Sequence, residues 1–168
     1  MTILKNLLSR GSAVAAGAAV VVGAAIATAP AASADISYSI QNAHSNKCLG
    51  IWMGTGVDAI QWGCNYNPDQ RWSFEDAGNG YRHIKNAYGK CLGIQGGVNW
   101  KGESAVQWSC NGNSDQLWKY DYQGSGKFRL INANSGMCLG VWKGGVKDGD
   151  DVMQWPCNGN SDQLWYNG

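Results

Sequence analysis

The sequence carries almost no net charge and has no basic stripe. It contains 13 Lys and Arg residues against 12 Asp and Glu residues. Leaving out Lys5 and Arg10, which precede residue 35, gives 11 basic against 12 acidic residues and a net charge of −1. The electrostatic footprint of a nucleic-acid binder is therefore missing, as is a cationic face for anionic membranes. We expect a partner that is close to neutral, and neither nucleic acid nor membrane.

The residues of common catalytic and metal sites are also scarce. The two histidines, His44 and His83, occupy non-equivalent positions, and no nucleophile-elbow or zinc-hydrolase motif is present. No short Cys-x-x-Cys clamp exists and no histidine recurs beside the cysteines, which argues against zinc. The sequence thus predicts a non-enzymatic protein with no metal and no cofactor. A carboxylate pair for glycoside hydrolysis remains an open alternative, although nothing singles out such a pair.

Apolar residues form a long run only near the N-terminus. Lys5 and Arg10 give a basic start, residues 11–29 are uncharged and rich in Ala, Val and Gly, and residues 32–34 are small. This pattern is typical of a secretory signal peptide over residues 1–34, and so short an Ala/Gly-dominated run is a poor transmembrane span. We therefore expect an extracellular protein whose remaining 134 residues (168 less 34), 35–168, form one domain.

One motif occurs three times. The frame Cys-Asn-x-Asn-x-Asp-Gln-x-Trp begins at Cys64, Cys110 and Cys157, at offsets of 46 and 47 residues, which indicates a repeat protein. The repeats span about 37–78, 81–122 and 127–168. Each contains two of the six cysteines, which allow 15 pairings in principle.

The threefold recurrence favours the symmetric pairing of the cysteines. This set joins Cys48 to Cys64, Cys91 to Cys110 and Cys138 to Cys157, at separations of 16, 19 and 19 residues. In the chain-entropy model each bridge stabilises the fold by roughly 3 kcal/mol. An exported protein would keep such bridges oxidised.

Each repeat has four short segments typical of β-strands, separated by Gly-, Asn- and Asp-rich turns. The predicted strands are 37–42, 48–52, 59–62 and 71–74, then 83–86, 91–94, 105–108 and 117–120, then 129–132, 138–142, 152–155 and 164–166. No stretch shows a helical stripe. Twelve short strands in three equal sets predict an all-β, closed antiparallel barrel with pseudo-threefold symmetry, because closure removes exposed strand edges.

The repeated motif resembles the signature of a known family. Gln-x-Trp at 70–72, 116–118 and 163–165, with Asn-Ala before the turn, Cys-Leu on the second strand and Gln-Trp-x-Cys on the third, is similar to the ricin B-chain-type lectins. The resemblance covers residues 37 to 166. It implies a β-trefoil fold, a secreted stand-alone module, glycans or polysaccharide as partner, and one carbohydrate pocket per repeat.

The resemblance also implies a role for particular residues. In such lectins an aromatic residue two positions before the second Cys stacks on the sugar, and a polar residue before the Gln of Gln-x-Trp forms a hydrogen bond with it. The corresponding residues are Trp62, Asp69, Trp108, Asp115, Trp155 and Asp162. For the three tryptophans of this set, packing in the core is the alternative. We expect the tryptophans of Gln-x-Trp to be core residues and its glutamines to satisfy backbone groups.

The sequence departs from the family pattern at a key position. Gly50, Gly93 and Gly140 stand where the sugar-binding carboxylate is expected. A buried hydroxyl left without a partner costs about 1–3 kcal/mol. We hypothesise that the aspartates before Gln-x-Trp supply the missing acceptors, through charge-assisted hydrogen bonds. The alternative is a trefoil whose sugar sites have decayed and which acts as a protein-binding module or inhibitor.

Three further features bear on the sites. Ile60, Val106 and Met153 lie two residues before the stacking tryptophans and share their face of the strand, which predicts either an apolar pocket or tryptophans that lean inward. Trp52 and Trp142 have no counterpart in the second repeat, where Gln95 stands, and this predicts unequal sites. The acidic segment 148–151 indicates a solvated loop rather than a cation site.

Overall fold

The computed structural model describes residues 37–168, so the predicted signal peptide at residues 1–34 lies outside the described residues. The described part consists of twelve strands and five short 3₁₀ turns. The strands are β1 Ile40–Asn42, β2 Cys48–Ile51, β3 Ala59–Trp62, β4 Trp72–Gly78, β5 Tyr81–Asn86, β6 Cys91–Ile94, β7 Ala105–Trp108, β8 Trp118–Gly124, β9 Lys127–Asn132, β10 Cys138–Val141, β11 Val152–Trp155 and β12 Trp165–Asn167. The 3₁₀ turns are Pro68–Gln70, Gln95–Gly97, Ser114–Gln116, Trp142–Gly144 and Ser161–Gln163.

Six of the strands form a closed antiparallel barrel. β1 pairs with β12, β12 with β9, β9 with β8, β8 with β5, and β5 with β4. Reciprocal backbone hydrogen bonds of 2.8 Å between Tyr38 and Trp72 join the chain just before β1 to β4 and close the ring. The barrel predicted from the sequence therefore contains six of the twelve strands.

The other six strands form three hairpins, one per repeat: β2–β3, β6–β7 and β10–β11. Bridges between neighbouring hairpins join Asp58 to Val106, Ser104 to Met153 and Asp151 to Ile60. Because each hairpin contacts the next and the last contacts the first, the three repeats close a second ring beside the barrel. This arrangement is a β-trefoil, as expected from the sequence.

Three buried glutamines hold this second ring together. The amide Nε2 of Gln61 donates to the carbonyls of Gly145 and Lys147, and that of Gln154 donates to the carbonyls of Val98 and Trp100. Gln107 donates in the same way to the carbonyl of Gly56. Each glutamine thus binds a loop of the preceding repeat, and a fully paired polar network of this kind fixes the register of the packing.

The core lies between the barrel and the hairpins. Trp72, Trp118 and Trp165 are fully buried, and each indole Nε1 donates to the carbonyl oxygen of a leucine on the second strand of its own repeat, at 2.9–3.0 Å. A buried indole N–H usually has a hydrogen-bond partner, and each of these three does. The expectation that these tryptophans are core residues is confirmed.

The three disulfide bonds follow the symmetric pairing: Cys48–Cys64, Cys91–Cys110 and Cys138–Cys157. Each bridge joins the first residue of a hairpin to a residue just beyond its last strand, so it ties the open end of the hairpin. Across residues 37–168, no helix is long and apolar enough to cross a membrane.

Candidate functional site

The 3₁₀ turn before each Gln-x-Trp tryptophan fixes the aspartate of the motif. Gln116, almost fully buried, accepts a hydrogen bond from the backbone N–H of Asn111 at 3.0 Å and donates to the carbonyl of Ser109 at 3.0 Å. Gln70 and Gln163 make the equivalent pairs of bonds. The glutamines therefore satisfy backbone groups, as expected, and the turn holds the preceding aspartate in a defined position.

The glycine after Cys-Leu leaves room for that aspartate. A Cβ atom added to Gly50, Gly93 or Gly140 would lie 3.1, 3.1 or 3.5 Å from Oδ2 of the aspartate of the same repeat. It would also lie 2.9–3.0 Å from Cγ of the neighbouring glutamine, closer than packed carbon atoms approach. The carboxylate thus sits beside the point at which a side chain on the second strand would project. This geometry is what the hypothesis of a substituted acceptor requires.

In the second repeat the predicted residues share an open pocket of about 440 Å³. Trp108, 58% exposed, and Asp115 line it together with Gly93, and Val106 forms its apolar floor. Val106 thus lies on the same side as Trp108, as strand alternation predicts, and Trp108 does not lean into the core. Burial raises the pKa of the Asp115 carboxyl, against the opposite effect of a hydrogen bond from its own backbone N–H.

In the third repeat the equivalent residues line a pocket of about 540 Å³. Trp155 is partly exposed, and Met153 and Gly140 lie beside it and Asp162. The ring of Trp142 meets that of Trp155 edge to face, with centroids 5.6 Å apart. Gln95 occupies the place of Trp142 in the second pocket, so the two pockets differ in this lining residue.

The first repeat is different because its aspartate is already engaged. Trp62 is 41% exposed and meets Trp52 edge to face at 6.5 Å between centroids. Asp69, however, is only 7% exposed, and its Oδ2 accepts a hydrogen bond from the buried backbone N–H of Ile51 at 3.3 Å. The structure therefore brings tryptophan and carboxylate together on an open pocket in the second and third repeats, whereas Asp69 serves the backbone.

Several pocket residues come from a neighbouring repeat and were missed by the sequence reasoning. Asp58 of the first repeat lines the second pocket, and His44 of the same repeat lines the third, where its Nδ1 lies 3.1 Å from Oγ of Ser161. Lys101 of the second repeat places Nζ 5.6 Å from the centroid of the Trp155 ring. A comparison of the three repeats identifies only residues that recur in each of them. Asp58, His44 and Lys101 do not recur in all three, so the sequence did not indicate that they line a pocket.

The acidic segment 148–151 closes the third repeat onto the first. Asp148 pairs with Lys47 at 2.7 Å and accepts a hydrogen bond from the backbone N–H of Gly63, and the bond from Lys47 lowers the pKa of its carboxyl. Asp150 accepts from the Gln61 amide and from the backbone N–H of Lys147. Over residues 37–168 no group of three or more His, Cys, Asp or Glu side chains is arranged to hold a metal ion.

The sequence matches a family model described as the ricin-type beta-trefoil lectin domain, over residues 36–165. No curated protein sequence matches the chain significantly.

Solved structures give the same fold. The designed threefold-symmetric protein ThreeFoil is 27% identical with a TM-score of 0.75, over 78% of this chain and 96% of its own. The Macrolepiota procera ricin B-like lectin, solved with lactose, is 20% identical with a TM-score of 0.70, over 80% and 96%. The exo-beta-1,3-galactanase 1,3Gal43A from Clostridium thermocellum is 28% identical with a TM-score of 0.75, over 78% of this chain and only 29% of its own.

Proposed function

We propose that this chain, which belongs to the family of ricin-type β-trefoil lectin domains, binds carbohydrate non-covalently through the pockets of its second and third repeats. Family membership supports carbohydrate binding in general. The observation that carries the finer proposal is the shared geometry of the two pockets. In each, a solvent-accessible tryptophan and a carboxylate line one open cavity above a glycine.

Each pocket has the two elements that a sugar requires. The face of Trp108 or Trp155 packs against the apolar C–H face of the sugar ring. The carboxylate of Asp115 or Asp162 accepts hydrogen bonds from sugar hydroxyl groups, and bonds to a charged acceptor are about twice as strong as neutral ones. Val106 and Met153 widen the apolar surface beneath the ring.

The first repeat contributes less under this proposal. Asp69 is only 7% exposed and its Oδ2 already accepts the backbone N–H of Ile51, so less of its carboxylate is open to a sugar hydroxyl. Two shallow sites of modest affinity then act together. Binding of both to one multivalent surface raises the overall affinity by about 10² or more without any new contact.

The galactanase neighbour does not change the proposal of a non-catalytic role. The chain spans less than a third of that enzyme, so the enzyme's activity belongs to a protein of which this fold is a minor part. Secretion remains part of the proposal. It is supported by the three disulfide bonds, which persist in oxidising compartments.

A glycan array with residues 35–168, followed by calorimetric titration of the best hit, tests the proposal. Trp108→Ala and Trp155→Ala should each remove one class of site, and the double variant should remove binding. Tyr122→Ala, which removes an exposed aromatic ring on the barrel strand β8, is the matched control and should bind normally. An array without hits, or a double variant with full affinity, would contradict the proposal. An array without hits would instead favour a protein-binding role.

A further inference from the structure

The second and third pockets differ in charge. The second is lined by two carboxylates, Asp58 and Asp115, and by no lysine or arginine. The third is lined by one carboxylate, Asp162, and by Lys143. Lys101 adds a second ammonium, because its Nζ lies 5.6 Å from the centroid of the Trp155 ring. The lining of the second cavity is therefore negative, whereas that of the third balances one carboxylate with one ammonium and has a second ammonium beside its tryptophan.

Both lysines of the third pocket are available to a ligand. In the part of the chain that the structure describes, three salt bridges form, and neither Lys101 nor Lys143 takes part in one. The Nζ of Lys143 lies 5.0 Å from the centroid of the Trp142 ring. Cation–π contacts at an exposed site are weak, of order 0.5–1 kcal/mol, and they leave the positive charge of each ammonium in place.

The position of Lys143 is unusual for a lysine. Its φ of 51° is left-handed, and Gly96, with φ of 64°, occupies the equivalent place three residues after Gly93. A non-glycine residue in this region is uncommon and carries strain. Packing alone does not need a lysine here, because glycine serves in the second repeat.

We infer that the third pocket selects saccharides that bear a carboxylate, such as uronic acids, whereas the second pocket selects neutral ones. The inference rests on the proposed function and names the ligand class of its two sites. A sugar carboxylate seated on Trp155 forms charge-assisted hydrogen bonds with the two ammonium groups. The same sugar on Trp108 meets two carboxylates and is repelled. Near a solvated surface each such charge pair changes affinity by about fivefold.

Nuclear magnetic resonance separates the two sites because each contains its own indole N–H. Uniformly ¹⁵N-labelled protein, with the signals of Trp108 and Trp155 assigned through their Phe variants, is titrated with galacturonate and glucuronate oligosaccharides. The same oligosaccharides with the carboxyl groups reduced to hydroxymethyl serve as neutral counterparts. The acidic ligands should move the Trp155 signal at concentrations at least about fivefold lower than their neutral counterparts do. At Trp108 the neutral oligosaccharides should move the signal at lower concentrations than the acidic ones do.

The variants Lys143→Gly and Lys101→Gln test whether the two lysines cause the preference for acidic ligands. The first places glycine at a left-handed position, so it relieves strain rather than threatening the fold. Each should lower the affinity of acidic ligands at Trp155 by about fivefold more than it lowers that of their neutral counterparts. Lys119→Gln, on an exposed barrel position, should change neither.

The outcomes distinguish this inference from the proposed function. Equal response of Trp155 to acidic and neutral ligands, or an acidic preference that survives both lysine substitutions, overturns the charge selectivity while carbohydrate binding stands. Absence of any response at both tryptophans likewise overturns the charge selectivity, whereas only an array without hits overturns carbohydrate binding.

Discussion

Oδ2 of Asp115 lies 3.1 Å from the point that a Cβ atom on Gly93 would occupy. The carboxylate of Asp115 therefore lies against the space that a side chain at residue 93 would need. The same relationship links Gly50 to Asp69 and Gly140 to Asp162.

Gly93→Ala should reduce both stability and binding at the second pocket. The added methyl group would meet Gln116 Cγ at 2.9 Å, and Gln116 is buried and hydrogen-bonded at both ends of its amide. Overpacking of this kind costs about 1–3 kcal/mol. Urea denaturation and calorimetric titration of the variant would measure the two effects.

Gly63→Ala is the matched control for this substitution. A Cβ atom on Gly63 would approach no atom closer than 3.8 Å, and Ser109 and Pro156 occupy the equivalent position in the other repeats. The control should be neutral or slightly stabilising, because it reduces the entropy of the unfolded chain. Equal losses in both variants would contradict the role of the glycine–aspartate pair.

Acidification should weaken the second pocket through Asp115. Because burial raises the pKa of this carboxyl, it is protonated at a higher pH than an ordinary aspartate. Protonation removes the charged acceptor, so affinity should fall as the pH drops through the raised pKa. Titration of Trp155→Ala, which leaves only the second pocket of the two, from pH 7 to pH 3 would show this loss.

Stability should respond to Asp115 in the opposite direction. A raised folded-state pKa means that the folded chain binds the proton more tightly than the unfolded chain. The favourable contribution is then complete below the unfolded pKa and is lost as the pH rises through the folded pKa. Asp115→Asn should therefore gain stability relative to the parent at pH 7 and not at pH 3. A gain that is the same at both pH values would count against burial as the cause.

Gln154→Leu should destabilise the loop beside the third pocket. The buried amide of Gln154 donates to the carbonyls of Val98 and Trp100 at 3.0 and 2.8 Å and accepts from Ser135 Oγ at 2.6 Å. Leaving these groups unpaired costs about 1–3 kcal/mol each if they stay buried. The loop that contains Lys101 should loosen over Trp155, with lower stability and a shifted Trp155 indole signal. Gln41→Leu, at a partly buried glutamine on β1 of the barrel, is the control and should leave that signal in place.

Removal of one disulfide bond should cost roughly 3 kcal/mol, as the chain-entropy model gives for a loop of this length. Replacing Cys138 and Cys157 by Ala opens the end of the β10–β11 hairpin, which contains Trp155. The midpoint temperature of thermal unfolding should fall, and the affinity of the third pocket should decrease more than that of the second. A uniform loss at both pockets would indicate a global rather than a local effect.

The fold could be predicted from the sequence because the same strand-like segments recur in the same order in all three repeats. All twelve strands lie where the apolar and alternating segments predict, and the cysteine pairing follows from the threefold recurrence. The main difference is length. β4 continues to Gly78 and β8 to Gly124, beyond the predicted ends at residues 74 and 120. Their added residues are largely polar and solvent-accessible, so pairing with β5 and β9 rather than burial extends them.

The candidate site was less predictable, because the residues that differ between pockets are not those that recur. The tryptophan and aspartate of each pocket come from the motif itself. Asp69 is more buried than the other two aspartates and bonds to the backbone of Ile51, and the frame that the three motifs share contains no information about this difference. Asp58 reaches the second pocket through the bridge between neighbouring hairpins, and His44 reaches the third through the pairing of β1 with β12.

The ring of loops set by Gln61, Gln107 and Gln154 makes each repeat a part of its neighbour's recognition surface. Asp58 of the first copy faces Trp108 of the second, and Lys101 of the second faces Trp155 of the third. Under the proposed function, a substitution at such a residue would alter the ligand preference of the adjacent pocket. A single lobe grafted from a relative would then leave behind the residues that line its pocket from the neighbouring lobe.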